Sequence, residues 1–198
     1  MTAILKVDTI QDTSGNNIIN ENADTITIGK SGDTINLASG ATNNLGITSA
    51  SQFRLTTTFT GDADPIASNW QEVDTDGYGR LGTAVSQSSG IFTFPTTGIW
   101  HIISVMTHIE GDSAVQYATN RIATTTDNST YSDAATSYNS PATASAYMTT
   151  SANFIFDVTD TSTHKVRLST NANDTSTSTM GDSSRNRTYI TFIRLGDT

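Results

Sequence analysis

The sequence contains no cysteine, so neither a disulfide framework nor thiolate chemistry is available to the protein. Basic residues are scarce: 10 Lys and Arg stand against 19 Asp and Glu, which gives a net charge of -9. A surface of this sign repels phosphate backbones and anionic lipids. No apolar run approaches the roughly 18 residues of a membrane span, and the first residues lack the features of a signal peptide. We therefore expect synthesis in a host cytoplasm, no nucleic-acid partner and no membrane insertion.

Charged residues make up only 15% of the 198-residue chain, and Leu and Lys are few. Ser, Thr, Asn, Asp and Gly are abundant instead, which is typical of a β-rich, turn-rich protein. The length suffices for one ordinary domain and an appendage. The composition therefore predicts an all-β protein.

The longest apolar strand pattern runs from Gly90 to Ile109. It predicts a hairpin in which Pro95 ends a first strand and a turn at 96–98 leads into a second. Both alternating faces of the second strand are largely apolar. One carries Ile99, Ile103, Val105 and Ile109, and the other carries Trp100, Ile102 and Met106. A single sandwich core covers one face only, so we expect another chain to cover the other. The pattern does not decide which face is the subunit seam.

The first fifty residues differ in kind from the remainder. Asp-Thr-Ile occurs three times, and the copies beginning at Asp24 and Asp33 form a repeat of short, β-prone units. One such strand has nothing to bury its isoleucines against, which favours three chains wound together; a disordered arm is the alternative. We divide the chain into an anchor (1–20), a repetitive β stalk and neck (21–51) and a knob domain (52–198).

The knob shows short strands spaced by turn residues, which is typical of a β-sandwich or jelly roll. Its first strand alternates apolar and polar residues from Phe53 to Phe59, so that Arg54 is expected to face water. Two late strands, near 154–158 and 165–168, flank a turn at 159–163. A closing strand at 188–195 is again apolar on both faces.

Gly90 to Ile102 resembles the G-x-[FY]-T-x-P-x-x-G-x-[YW]-x-[FI] core of the C1q/TNF-like jelly roll. The two late strands resemble a strand pair of that family, and Tyr189 to Gly196 resembles its C-terminal strand, which lies near the trimer axis. The resemblance covers residues 52–198 and implies an antiparallel jelly-roll sandwich that forms a homotrimer. The residues that we assign to the core and trimer strands are Phe92, Phe94, Trp100, Ile102, Met106, Tyr189 and Phe192.

Ile4 to Asn16, followed by the Asp-Thr-Ile repeats, resembles the heads of structural proteins from phages of marine bacteria, including cyanophage-like ones. This resemblance implies a virion fibre or spike whose N-terminus docks onto tail or capsid proteins and whose knob contacts a host-surface glycan or protein. The expected anchor residues are Ile4, Leu5, Val7 and Ile10. The expected location is the virion surface. A capsid decoration protein and a glycan-cleaving tailspike remain the alternatives.

Motifs for catalysis are poorly matched. Gly77 to Gly82 fits the G-x-G-x-x-G pattern but lacks the helix and acidic ribose ligand that dinucleotide binding needs. Asp74 and Asp76 resemble the start of a calcium loop, but Val85 stands where the bidentate Glu belongs. A looser Ca²⁺ site and a solvated acidic turn both remain open there. We expect no enzymatic activity and no cofactor.

A long polar run from Thr124 to Tyr147 holds three tyrosines, Tyr131, Tyr138 and Tyr147. Aromatic side chains on polar loops suit stacking on sugar faces and can anchor protein contacts. These tyrosines are therefore the candidates for receptor binding, with packing inside the trimer as the alternative.

Overall fold

A computed structural model of the chain describes residues 46–112 and 114–198. The predicted anchor residues Ile4, Leu5, Val7 and Ile10, and the Asp-Thr-Ile repeats, lie outside the described residues. In the described part every regular element is a β-strand, and no helix of a length and apolarity that could cross a membrane is found there. All described residues belong to the compact unit Asn44–Thr198.

Twelve strands make up the described part of the chain. They are β1 (Ser49–Leu55), β2 (Phe59–Thr60), β3 (Trp70–Glu72), β4 (Ser86–Ser88), β5 (Ile91–Thr93), β6 (Gly98–Ile109), β7 (Ala118–Thr125), β8 (Ser132–Asn139), β9 (Tyr147–Val158), β10 (Lys165–Ser169), β11 (Ser178–Thr179) and β12 (Tyr189–Gly196).

The strands form two antiparallel sheets. The large sheet has seven strands in the order β2-β11-β6-β12-β1-β3, and β9 pairs with β6 along its full length. The small sheet has five strands in the order β4-β5-β10-β7-β8. The strand partners are mostly distant in sequence, as in a jelly roll, where successive strands alternate between sheets. The prediction of an all-β, antiparallel sandwich is confirmed.

An aromatic core lies between the sheets. Phe92 of the small sheet packs its ring 5.3 Å from that of Phe192 and 5.5 Å from that of Phe53, both of the large sheet. Phe94 lies 5.0 Å from the Trp100 ring and meets Phe192 edge to face at 5.8 Å. Tilted and edge-to-face ring pairs of this kind stabilise a core beyond the area that they bury. The sequence motif from Gly90 to Ile102 thus supplies the aromatic contacts that join the two sheets.

The predicted hairpin at Gly90 to Ile109 is wrong. Strand β5 pairs with β4 and β10 in the small sheet, whereas β6 pairs with β9, β11 and β12 in the large sheet. Phe94 and Trp100 are both buried, so the segment between them carries the chain across the core from one sheet to the other. The local sequence pattern is a strand, a turn and a second strand. This pattern fits both a hairpin and a crossover between sheets, because it does not specify which strands share hydrogen bonds.

The two late strands are not a pair either. Strand β9 lies in the large sheet and β10 in the small sheet, and the turn at 159–163 joins them across the sandwich. Phe156 and Val158 of β9, and Val166 and Leu168 of β10, belong to one core cluster. Their side chains therefore meet across the core, so the two strands pack face to face without sharing a ladder.

Candidate functional site

The outer face of the large sheet leaves a row of apolar side chains partly uncovered in the part of the chain that the structure describes. Along β6 every even-numbered residue from Gly98 to His108 is buried, and every odd-numbered residue from Ile99 to Ile109 is only half-buried. Trp100, Ile102 and Met106 lie wholly in the core, at 0% exposure. The structure thus decides which face of β6 is interior, because the isoleucine face points away from the sandwich.

Neighbouring strands extend this surface. Ile155 of β9 and Ile193 of β12 both lie directly opposite His101. Ile155 is 60% exposed, an unusually open position for a branched apolar side chain at the centre of a strand. Tyr189 lies opposite Val105 on the same side. We call this surface the assembly face: the odd-numbered residues of β6 with their partners on β9 and β12.

The assembly face carries almost no charge. Its polar members are mostly hydroxyl and amide side chains, such as Asn153 and Thr191, which flank Ile103. Within the odd-numbered positions of β6, β9 and β12, the only carboxylate is Asp157, at the end of the strand opposite Ile99, and there is no Lys or Arg. A face that mixes branched apolar side chains with uncharged polar ones, has His101 among them and carries its one carboxylate at the end is poor in charge, as the core of a protein interface is.

The seven residues assigned to the core and trimer strands separate into two groups. Six are at most 2% exposed and fill the sandwich interior: Phe92, Phe94, Trp100, Ile102, Met106 and Phe192. Tyr189 is half-buried and lies on the assembly face. The alternation in the sequence shows which residues share a face of a strand, but it does not show which face is buried. The burial in the structure therefore distinguishes the two groups.

The prediction that Arg54 faces water is wrong. Its side chain is 1% exposed, and its guanidinium forms an ion pair with Asp74 and donates a hydrogen bond from Nη1 to Thr75 Oγ1 at 2.9 Å. The loop that contains these partners folds over β1 and encloses the charge. Asp74 therefore serves as a counterion, and Asp76 accepts a hydrogen bond from the Thr75 hydroxyl at 3.2 Å.

A different group of carboxylates comes together at the end of β6. One carboxylate oxygen each of Glu110, Asp112 and Asp174 lies within 4.8 Å of the others. The Ser176 hydroxyl lies 2.6 Å from Glu110 Oε1 and 2.7 Å from Asp174 Oδ1. Oxygen ligands of this type suit Ca²⁺. The sequence gives no signal for the group, because its members come from two distant loops.

The carboxylate of Glu110 already has protein partners. Gly111 N–H donates to Oε1 at 2.9 Å, and the Thr177 hydroxyl donates to Oε2 at 2.7 Å. Burial acts to raise the pKa of Glu110, but hydrogen bonds from Ser176, Thr177 and two backbone N–H groups outweigh it, so the pKa is lowered. Glu110 therefore anchors the loops at this end of the sandwich as a buried anion.

His108 belongs to a buried polar chain at the same end of the sandwich. Asn139 Nδ2 donates to His108 Nδ1 at 3.0 Å, so Nε2 carries the proton and donates to Thr170 Oγ1 at 3.0 Å. Thr170 in turn donates to the carbonyl of Thr119 at 2.7 Å. Burial lowers the pKa of His108 to about 4. Both ring nitrogens are thus occupied by structural hydrogen bonds.

The three candidate receptor tyrosines are not brought together. Tyr131 is half-buried beneath the Arg167 guanidinium, whose carbon lies 4.4 Å from the ring centre. Tyr138, on edge strand β8 of the small sheet, is 67% exposed and packs edge to face against Tyr117. Tyr147 is 57% exposed at the start of β9 in the large sheet. Of the three, Tyr138 alone combines high exposure with a neighbouring aromatic ring.

Comparison with known proteins identifies the fold. No family model and no curated protein sequence matches the chain. Crystal structures of murine APRIL match it over 74% of this chain and 98% of the APRIL chain. The TM-scores are 0.53, 0.52 and 0.50 for the structures at pH 8.5, 5.0 and 8.0, with sequence identities of 15%, 13% and 14%. The described domain therefore has the TNF-like jelly-roll fold that the sequence motif implied.

Proposed function

We propose that this protein is a non-enzymatic homotrimer whose jelly-roll domain is a surface-binding knob, and that the assembly face is the seam between its subunits. The observation that carries the proposal is the group of partly exposed apolar side chains around Ile103, Val105 and Ile155, on a face that has no Lys or Arg. Burial of these side chains in an interface would contribute about 25 cal/mol of favourable free energy for each Å² of apolar surface removed from water. The described part of the chain supplies no further layer to cover them.

Other copies of the same chain are the occupant that best fits this face. The repeats at Asp24 and Asp33 predict strands that need symmetry-related copies, and the C1q/TNF-like motif implies a trimer whose axis lies near the closing strand. That strand is β12, which pairs with β6 and forms one side of the assembly face. Sequence repeat, family resemblance and apolar surface therefore point to the same arrangement.

The setting that we propose is a virion fibre or spike. The N-terminal resemblance to phage structural proteins supports docking through Ile4, Leu5, Val7 and Ile10 onto other virion proteins. The knob would then project from the virion surface and contact a host-surface glycan or protein. Three linked knobs turn weak individual sites into firm attachment, because the second and third contacts form at a high effective concentration.

Labelling of intact particles tests the setting. An antibody raised against the knob is expected to decorate the tips of fibres or spikes on purified virions under the electron microscope. Uniform decoration of the capsid shell would favour a decoration protein instead. Virions without any label, from a preparation in which the protein is expressed, would contradict the virion assignment.

Turnover of host polysaccharide tests the non-enzymatic character. The purified full-length protein is expected to release no reducing ends or shortened chains from host surface polysaccharide on prolonged incubation. A known depolymerase serves as the positive control. Depolymerised product that scales with the amount of protein would overturn this part of the proposal.

A further inference from the structure

A shallow pocket lies on the outer face of the small sheet, opposite the assembly face. Strands β7 and β8 form its floor, with Thr119 directly opposite Tyr138 and Arg121 directly opposite Thr136. Tyr117, Asp133 and Asn171 complete a cavity of about 360 Å³. This volume is at the lower end of the range for small-ligand sites, roughly 300–1,000 Å³. We propose that the pocket binds one neutral hexopyranose unit of a surface glycan.

Tyr138 supplies the stacking surface. Its ring centre lies 6.4 Å from that of Tyr117 at an interplanar angle of 82°, so the edge of one ring meets the face of the other. This contact restrains the Tyr138 ring while 67% of the side chain stays open to solvent. A restrained, exposed aromatic face is suited to the apolar C–H face of a pyranose, because little conformational entropy is lost on contact.

Arg121 and Asp133 supply polar groups beside the ring. Arg121 Nη1 lies 3.6 Å from Asp133 Oδ2, which is longer than a hydrogen bond, and the two side chains are 24% and 48% exposed. The guanidinium also donates to Asn171 Oδ1, and Asn171 is held by a hydrogen bond from its own N–H to Thr119 Oγ1 at 2.9 Å. Thr119 and Asn171 therefore hold the guanidinium in place, and the Asp133 carboxylate lies beside it with capacity to accept from a sugar hydroxyl.

The charge balance favours a neutral sugar over an acidic one. The cation of Arg121 is already compensated by Asp133, so the pocket presents no free positive charge to a carboxylate, sulfate or phosphate. The net charge of -9 on the chain repels polyanions further. Vicinal hydroxyls can instead accept from the guanidinium and donate to the carboxylate at the same time.

This inference rests on the proposed function, because a single shallow sugar site binds weakly and requires several copies on one particle. The pocket and the assembly face belong to opposite sheets of the sandwich. Formation of the trimer through the assembly face would therefore leave three pockets open to the host surface. Binding of several sugar units by the three pockets of one trimer raises the overall affinity for the host surface, although each pocket makes the same contacts as before.

Saturation-transfer NMR with the full-length protein tests the inference. The probes are the methyl pyranosides of glucose, galactose, mannose and N-acetylglucosamine. At least one is expected to show transfer to its ring protons, and Tyr138→Ala and Asp133→Asn are each expected to weaken its binding at least tenfold. Leu81→Ala is the control, because it removes an exposed apolar side chain next to β1 of the large sheet, away from the pocket, and is expected to leave binding unchanged.

Three results would overturn the glycan assignment. These are the absence of transfer to all four neutral probes, binding that persists in folded Tyr138→Ala protein, and binding confined to methyl glucuronide or sialic acid. Binding to host cells that survives periodate oxidation of glycans but not protease treatment would identify a protein receptor instead. In that case the surface-binding trimer would stand and only the sugar site would fail, whereas a monomer that binds no cells would contradict the proposed function itself.

Discussion

Ile102 and Ile103 are consecutive residues of β6 that lie on opposite sides of the large sheet. Ile102 is fully buried opposite Phe192 and Phe154, inside the sandwich. Ile103 is half-buried between Thr191 and Asn153, on the assembly face. One step along the backbone therefore separates a residue of the domain core from a residue of the proposed subunit seam.

The matched substitutions Ile102→Asp and Ile103→Asp should have different outcomes. Ile102→Asp buries an unpaired charge and leaves a cavity, so we expect a loss of at least about 4 kcal/mol and an unfolded domain. Ile103→Asp should cost the isolated domain less, about 1–2 kcal/mol, because the side chain is only half-buried, but should prevent association. Circular dichroism and light scattering distinguish the two outcomes.

Ile103→Val is the control for this pair, because it keeps an apolar side chain on the assembly face. It should remain associated. If Ile103→Asp retained the mass of the wild-type assembly, the face would not be the seam between subunits.

Much of this alternation could be predicted from the sequence, but strand pairing could not. The two apolar faces of β6 follow directly from the period of two between Ile99 and Ile109. That β5 and β6 belong to different sheets depends on contacts such as Phe92 with Phe53, which are distant in sequence. A one-dimensional pattern fixes which residues share a face and leaves open the strands that they meet.

Stability should fall on mild acidification because of His108. Its pKa is about 4 in the folded protein and about 6.5 in an unfolded chain, so the unfolded state binds the proton first. Stability should therefore decrease as the pH falls from about 6.5 to about 4, by up to about 3 kcal/mol from this group. Urea denaturation of wild-type protein and His108→Gln at pH 7, 6 and 5 measures the effect.

The His108→Gln variant should show a smaller loss between pH 7 and pH 5 than the wild type. Equal slopes would show that His108 is protonated in the folded state at a normal pH. The pKa values of Glu110 and Asp182 are lowered in the folded state, so their protonation also reduces the stability of the domain as the pH falls, but at lower pH.

Glu110→Gln should destabilise the end of the sandwich. The substitution places an amide NH₂ among groups that now donate to a carboxylate, including Gly111 N–H and the Thr177 hydroxyl. We expect a loss of about 2–3 kcal/mol in the free energy of unfolding at pH 7. Asp112→Asn is the matched control, since Asp112 is exposed, and it should cost less than about 1 kcal/mol. Equal effects of the two variants would contradict the anchoring role of Glu110.

Gly90 should not tolerate a side chain. Its φ is +77°, and a Cβ there would lie 2.3 Å from the carbonyl oxygen of Ile66. Gly90→Ala should therefore cost more than about 2 kcal/mol. Gly79→Ala is the control, because a Cβ at that position meets nothing within 4 Å. Thermal melts compare the two, and a Gly90→Ala melt like that of Gly79→Ala would contradict the turn geometry.

The candidate sites were less predictable from the sequence than the fold. Tyr138 stood out as an aromatic in a polar run, but its partners Arg121 and Asn171 are separated by fifty residues of chain. Glu110 and Asp174 likewise meet only because β6 and the segment before β11 end at the same edge. Sequence spacing identifies sites whose residues lie within one strand or loop. The Tyr138 pocket and the Glu110 group each combine residues from separate strands and loops.

The mass of the full-length protein in solution tests the central claim most directly. Multi-angle light scattering at micromolar concentration should give three times the 21.0 kDa mass of the chain for the wild type, and a single chain mass for folded Ile103→Asp. A folded wild-type protein with the mass of one chain would contradict the account.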